Sequence, residues 1–348
     1  MLSVSTADQT NNNKERIAVL YLENIGNEED SYFSKGLTEE IISRLSRVDK
    51  ISVVPRFDVA KYKGKEINYK TLITDLEADY ALTGNLIRLP KISVGATENL
   101  IIASCLAKGK TIIKNCAIEP EIKDLSNFLI KAGAKIKWIG KRTVEIVGVK
   151  SLRSISYKVM GDRIECGTFC VAAALTEGNL KIKGFNPKLI NTEINILKKT
   201  GAKIQLKKDE INIKGNKIIK NINHIKTKEY PAFPTDLQAA FMVLLCKAKG
   251  RSIISENIFE NRFMHVAELR RLGAKITIKN NKALIEGNTL FKACPLMSSD
   301  LRASIALVLA AMTAEGVSQV DRIYHLDRGA ENFENKLKKI GVKIKRLK

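Results

Sequence analysis

Gly133-Ala-Lys-Ile136, Gly201-Ala-Lys-Ile204, Gly273-Ala-Lys-Ile276 and Gly341-Val-Lys-Ile344 are near-copies of one phrase, spaced 68, 72 and 68 residues apart. Each closes a helix-like stretch, where glycine supplies the C-terminal cap. A second phrase keeps step with it, a long apolar run closing on Gly109, Gly178, Gly250 and Gly316. Self-similarity at a fixed period means one supersecondary unit used repeatedly. The repeat begins only near residue 91, and its last copy stops short at Lys348.

Working outward from the glycines, every copy has the same grammar. A polar turn opens a nearly all-round apolar helix: Thr97–Leu106, Asp162–Leu175, Asp236–Cys246 and Asp300–Met312. Helices of that pattern are expected to be buried on all sides. A strand follows (Thr111–Ile113, Leu180–Ile182, Ser252–Ile254, Ser318–Val320), then an amphipathic outer helix and a hairpin, as in Lys135–Trp138 with Val144–Val147 or Lys275–Ile278 with Ala283–Glu286. In the fourth copy only one hairpin strand remains, so an exposed sheet edge is expected there.

Upstream the period is absent. Strands over Ile17–Leu22, Ile51–Val54 and Tyr80–Ile87 alternate with helices over Tyr32–Val48 and Tyr69–Leu76. The predicted fold class is therefore α/β: a small β-α-β-α-β module followed by four repeats. The expected organisation is a disordered lead-in (1–15), the small module (16–89), one repeat (90–160) and a three-repeat domain (161–348).

Composition narrows the function classes. The chain has 348 residues, 45% of them hydrophobic, enough for two cored domains. Its longest apolar run, Ala303–Met312, is too short to span a bilayer, and Met1–Arg16 has no apolar secretory core. A cytoplasmic protein without membrane partners is expected. The net charge of +22 comes mostly from lysines scattered along the chain, and aromatics are only 6%. That dispersion argues against nucleic acid and is compatible with a small anionic substrate. Cys105, Cys116, Cys166, Cys170, Cys246 and Cys294 form no CxxC pair and have no nearby histidines. They read as reduced thiols, with neither metal nor cofactor expected.

The apolar helices open on equivalent polar residues: Thr97, Asp162 with Arg163, Thr235 with Asp236, and Asp300 with Arg302. Two readings stand side by side. Asp and Thr are ordinary N-caps; alternatively, helix N-termini converge on an anion. Arg302, set in an apolar repeat, favours the second, because a buried cation needs a partner. Glu260, Asn261 and Arg262 crowd one turn, and Arg322, His325, Asp327 and Arg328 another. Salt-bridged surface turns would explain both, and His265 and His325 read as structural.

Residues 91–348 closely resemble the UDP-N-acetylglucosamine enolpyruvyl transferase family. The resemblance is carried by Lys91-Ile-Ser-Val-Gly-Ala-Thr97, Glu119-Pro-Glu-Ile122, Asp162-Arg-Ile-Glu165 and Phe233-Pro-Thr-Asp-Leu-Gln238. Phe259-Glu-Asn-Arg-Phe-Met-His-Val266, Asp300-Leu-Arg-Ala-Ser304 and Asp321-Arg-Ile-Tyr-His-Leu-Asp-Arg-Gly329 complete it. The resemblance implies transfer of enolpyruvyl from phosphoenolpyruvate to the sugar 3-hydroxyl, without metal, in peptidoglycan synthesis. It assigns the base to Asp236, which also helps hold the sugar. Lys91, Ile92, Ser93, Val94 and Ile258 match nucleotide-sugar contacts. Arg262 and Arg328 match cations at the phosphoenolpyruvate site, while Glu119, Asp162, Arg163, Asp300 and Arg302 match supporting positions.

The same resemblance implies an inside-out fold of six units in two domains, with the active site between them. Four units are recognisable here. The family's opening Gly-Ala-Lys-Asn phrase and its Gly-rich loop, which carries the general-acid Cys, have no match. Gly161 stands where Pro usually precedes the Asp, and Tyr230 where His is common. Impaired activity alone is therefore expected, and a complementing chain would have to supply the remaining units. Residues 16–89 resemble a TolB-like N-terminal-type domain through Ile17-Ala-Val-Leu20, Tyr32-Phe-Ser-Lys-Gly-Leu-Thr-Glu-Glu-Ile41, Ser43-Arg-Leu45 and Asp79-Tyr-Ala-Leu-Thr-Gly84. Three readings stay open: an enzyme of the family, a non-catalytic nucleotide-sugar-binding or regulatory protein, and a misjoined gene product.

Overall fold

The computed structural model describes residues 14–21, 38–39, 42–43, 45–47, 51–63, 65, 67–82, 85–107 and 109–347. The chain divides into two compact units, residues 1–157 and 158–348. Most of the helix expected over Tyr32–Val48, Leu22 of the first expected strand, and residues 1–13 of the expected lead-in lie outside the described residues.

In the first unit, β1 (Glu15–Val19) pairs in parallel with β2 (Ile51–Val53) and β3 (Tyr80–Leu82), giving the order β2-β1-β3. Glu15, expected in the lead-in, belongs to β1. Two helices, α1 (Arg56–Ala60) and α2 (Tyr69–Asp75), cover the sheet. Asn68 caps α2 by accepting from the Lys70 and Thr71 amides. Ala18, Leu20, Val54, Val59, Leu72 and Leu76 form this small core.

The strand expected over Tyr80–Ile87 is two strands in two sheets. After β3, β4 (Asn85–Arg88) pairs in parallel with β5 (Lys110–Lys114). A second sheet results, ordered β4-β5-β7-β6, with β6 (Lys135–Gly140) and β7 (Thr143–Val147) as its hairpin. Apolar content cannot signal a change of sheet, because a strand's hydrophobicity does not specify its neighbour.

Between β4 and β5 runs α3 (Val94–Ser104), and α4 (Pro120–Lys131) follows β5. The expected start at Thr97 is corrected. Ser93 caps the helix, and Thr97 lies one turn inside it, fully buried. Its hydroxyl donates to the Ser93 carbonyl (2.7 Å) and accepts from the Ala117 amide (2.9 Å), tying the helix to the segment after β5. Nor is α3 buried on all sides: Ile101, Ser104 and Cys105 are enclosed, while Ile102 is 49% and Leu106 57% exposed. It rests on α4, β5 and β7, so one face has no cover among the described residues.

In the second unit the corresponding apolar helices, α5 (Arg163–Leu175), α7 (Gln238–Lys247) and α9 (Leu301–Ala311), cover one another. Residues 238–246 and 303–310 are buried without interruption, so the all-round pattern has a neighbour on every side. Around them lie three sheets. β8 (Asn179–Lys183), β9 (Lys203–Leu206) and β10 (Glu210–Lys214) take the order β8-β10-β9. β11 (His224–Lys226), β12 (Arg251–Ser255), β13 (Lys275–Lys279) and β14 (Lys282–Glu286) take the order β11-β12-β14-β13. β15 (Pro295–Met297) pairs with β16 (Gln319–Asp321) alone. Outer helices α6 (Asn191–Lys199), α8 (His265–Arg271), α10 (Tyr324–Asp327) and α11 (Phe333–Lys339) complete the unit.

The four phrase glycines, Gly133, Gly201, Gly273 and Gly341, have φ of 107°, 104°, 103° and 94°. After each, the next residue's amide returns to the helix: Ala134 to Leu129, Ala202 to Leu197, Ala274 to Leu269 and Val342 to Leu337. One sequence phrase thus encodes one left-handed cap. The strand expected after Gly341 does not form. Residues 342–347 make no ladder among the described residues, and Val342 and Ile344 instead pack on the core. A strand needs a pairing partner, and the expected sheet edge is absent with it.

Candidate active site

Thr235–Leu237 form a 3-10 turn that runs into α7, entered through Pro234. No side chain caps it, so Asp236 is not the ordinary cap its position allowed. Its Oδ1 accepts instead from Arg262 Nη2 (2.9 Å) and Arg302 Nε (3.0 Å). Arg262 comes from the turn before α8, where Asn261 takes a left-handed φ of 54°. Arg302 is the second residue of α9. Asp300 caps that helix by accepting from the Arg302 and Ala303 amides, both at 2.9 Å. The two aspartates at helix starts therefore differ: Asp300 serves backbone, Asp236 serves guanidinium.

Electrostatics follow from this clamp. Burial pushes the Asp236 carboxyl up, and Arg302 and then Arg262 more than reverse it, holding it below its ordinary value. The clamp is half-buried, with Asp236 32% and the arginines about 20% exposed at the side chain, which strengthens charge interactions relative to water. Arg328, just after α10, lines the same open cleft with Glu260, Asn261 and Asp300. Neighbouring Asp327 is occupied elsewhere: Arg346 Nη1 and Nη2 donate to its two carboxylate oxygens at 3.0 and 2.6 Å. Three guanidiniums and the carboxylates of Asp236, Glu260 and Asp300 line the cleft, and two of the guanidiniums pair with Asp236, a chemistry suited to an anion beside a hydroxyl to be deprotonated.

The other expected residues are placed as follows. Ile258, 38% exposed, lines a second pocket with Lys226, Thr227, Lys228 and Asn257. Asp162 caps α5, accepting from the Ile164 amide at 2.7 Å and the Glu165 amide at 3.1 Å. Buried Arg163 lies over the Tyr230 ring, 5.6 Å from its centroid. In the first unit, Lys91 and Ile92 precede the Ser93 cap, Val94 begins α3, and buried Glu119 precedes α4 without capping it. His265 is buried, and burial lowers its imidazole to about 4, so it is neutral. Among the described residues, no group of three or more His, Cys, Asp or Glu can hold a metal ion, and no helix is long and apolar enough to cross a membrane.

The family model for EPSP synthase (3-phosphoshikimate 1-carboxyvinyltransferase) matches residues 60–337, four fifths of the chain. The chain belongs to this enolpyruvyl transferase family. It is 67% identical over 270 residues to the UDP-N-acetylglucosamine 1-carboxyvinyltransferase of Pelagibacter ubique (strain HTCC1062), a match covering 78% of this chain and 64% of that protein. It is 44% identical over 290 residues to the same-named protein of Azorhizobium caulinodans, covering 83% and 68%. The chain thus spans about two thirds of the length of these relatives. Among solved structures it is similar to the enolpyruvyl transferase NikO from Streptomyces tendae, with a TM-score of 0.67 at 25% identity, covering 72% of this chain and 60% of that one. An EPSP synthase from Acinetobacter baumannii shares the fold at TM-score 0.59 and 20% identity, covering 75% and 63%. The family match begins at residue 60, inside the segment read as a separate module.

Motif reading reached Asp236, Arg262, Asp300, Arg302 and Arg328, which the second unit gathers in one cleft. It named Thr235 only as a polar helix start and passed over Glu256 and Thr227, which the fold connects to it beside that cleft. A Glu directly after a strand, two residues before an exposed Ile, is too common a pattern to single out.

Proposed function

We propose that this chain binds UDP-N-acetylglucosamine and phosphoenolpyruvate and belongs to the transfer of enolpyruvyl to the sugar 3-hydroxyl in peptidoglycan synthesis. The observation that carries this reading is the Asp236 carboxylate shared by Arg262 and Arg302, with Arg328 in the same cleft. The arginines hold the phosphate and carboxylate of phosphoenolpyruvate. Asp236 takes the proton of the 3-hydroxyl as its oxygen bonds to C2 of phosphoenolpyruvate, while C3 gains a proton from the general acid of the complementing part. The tetrahedral intermediate then loses phosphate from C2 and a proton from C3, which restores the double bond. An anion that draws Arg262 and Arg302 away leaves Asp236 buried without its cations. Its proton affinity then rises at the moment a base is needed. The guanidiniums also offset charge in the tetrahedral intermediate. Ile258 and Lys91 to Val94 are assigned to the nucleotide sugar, and Glu119, Asp162, Arg163 and Asp300 to support.

In this reading the chain carries four of the family's six units. The exposed Ile102–Leu106 face of α3 is where a complementing chain supplying the others would pack. Activity of the chain alone is expected to be weak. No cysteine stands in a Gly-Gly-Cys context, and Cys105, Cys116, Cys166, Cys170 and Cys246 are buried. Burial pushes the Cys116 and Cys246 thiols up to about 11 and about 12. The same observation favours a second reading, a nucleotide-sugar-binding protein without turnover.

Phosphate release from phosphoenolpyruvate plus UDP-N-acetylglucosamine separates the two. Turnover abolished by Asp236→Asn supports the transferase. Thermal stabilisation by the nucleotide sugar without turnover supports the binder, and neither effect refutes both.

A further inference from the structure

We infer that Glu256 is a positioning residue that sets the loop bearing Ile258 and Arg262 against the turn bearing Asp236. Its side chain is buried, with the residue 4% exposed, directly after β12. Oε1 accepts from Thr227 Oγ1 (2.8 Å) and from the amides of Ile258 (2.9 Å) and Phe259 (3.1 Å). Oε2 accepts from Thr235 Oγ1 (2.9 Å). A carboxylate out of water is costly unless its lone pairs are satisfied. Here four donors satisfy it, and among the described residues it has no ion pair. Such a network holds its members in one arrangement, because losing any donor leaves buried charge uncompensated.

The contacts close a ring. Thr235 adjoins Asp236; Asp236 accepts from Arg262; the Arg262 guanidinium lies over the Phe259 ring, 4.7 Å from its centroid; and the Phe259 amide returns to Glu256. A spur reaches the second pocket, where the Asn257 amide donates to Thr227 Oγ1 at 2.8 Å. Glu256 therefore stands behind both sites, bonded to Thr227 and Ile258, which line the second pocket, and to Thr235, the neighbour of Asp236 in the cleft. Displacing it moves a sugar contact and the base together. Its consequence for substrate rests on the function proposed above; the ring itself does not.

The test uses two readouts on the full chain: deuterium uptake by mass spectrometry and calorimetric titration with UDP-N-acetylglucosamine. Glu256→Gln preserves the network, since Oε1 keeps its three donors and Nε2 donates to Thr235 Oγ1. Glu256→Ala removes it. The alanine variant is expected to speed exchange in segments 226–238 and 256–264 together, with α5 unchanged, and to weaken sugar-nucleotide binding about tenfold or more. The glutamine variant should stay near the parent in both. Thr235→Val, which removes one arm, should give the same pattern more weakly and serves if the alanine variant does not fold. Unchanged exchange in segment 226–238 for both Glu256→Ala and Thr235→Val, or glutamine as damaging as alanine, overturns the assignment. A parent chain that binds no UDP-N-acetylglucosamine refutes the proposed substrate, while the exchange result still decides the role of Glu256.

Discussion

Arg302 Nε lies 3.0 Å from Asp236 Oδ1, across 66 residues of sequence, and Arg262 reaches the same oxygen at 2.9 Å. Two cations on one oxygen make Asp236 a group whose proton affinity depends on who else holds the arginines. Replacing Arg302 by Met is expected to raise the Asp236 carboxyl pKa, because burial acts upward and Arg302 is the stronger opposing influence. A carboxyl-carbon NMR titration checks this. An unchanged or lower value in the variant would mean that the clamp does not set the carboxyl.

Two buried groups oppose each other in the pH dependence of stability. Burial raises Glu193 from 4.5 to about 7, against a smaller lowering by its own amide and Arg163. The folded state then binds the extra proton, so this contribution is full below 4.5 and is lost as pH rises through 7. Burial lowers His265 from 6.5 to about 4, with Asp300 opposing and Arg262 assisting. Its contribution is full above 6.5 and is lost as pH falls through 4. Between about 4.5 and 6.5 the slopes cancel. Glu193→Gln should unmask the histidine, giving a loss on acidification on the order of 3 kcal/mol across its window. Denaturant midpoints at several pH values measure it, and a flat profile in the variant excludes the idea.

Thr97→Val keeps the shape of a fully buried side chain but removes the acceptor of the Ala117 amide. A buried N–H left unpaired costs about 1–3 kcal/mol, while Thr97→Ser should recover most of it. Equilibrium denaturation of the two variants decides. Equal stability of Val and Ser would show that the hydroxyl is not what joins α3 to the segment after β5.

Leu106, just past the end of α3, is 57% exposed, whereas Leu309, in the last turn of α9, is fully buried. Leu309→Ala is expected to cost about 2–5 kcal/mol, and Leu106→Ala within about 0.5 kcal/mol. A large loss at Leu106 in the isolated chain would mean that its face is already covered in solution, by a second copy or another segment.

What the chain alone determined was local and periodic. Gly133, Gly201, Gly273 and Gly341 each end a helix with bonds made to residues a few positions back, so the cap is legible wherever the phrase recurs. The buried helices of the second unit were legible for the same reason, being apolar on every side. The acids and arginines of the site could be named through motifs. Their pairing could not: Asp236, Arg262 and Arg302 meet only because three helix starts of one unit converge, and capping remained an open account of Asp236 until its partners were placed. Tertiary structure also decided that β4 leaves the first sheet for the second, that Thr97 is interior and Ser93 the cap, and that α3 keeps an exposed face. Glu256 belongs to the same class. Its four donors come from three separate stretches of chain, and a carboxylate's meaning lies in the donors the fold brings to it.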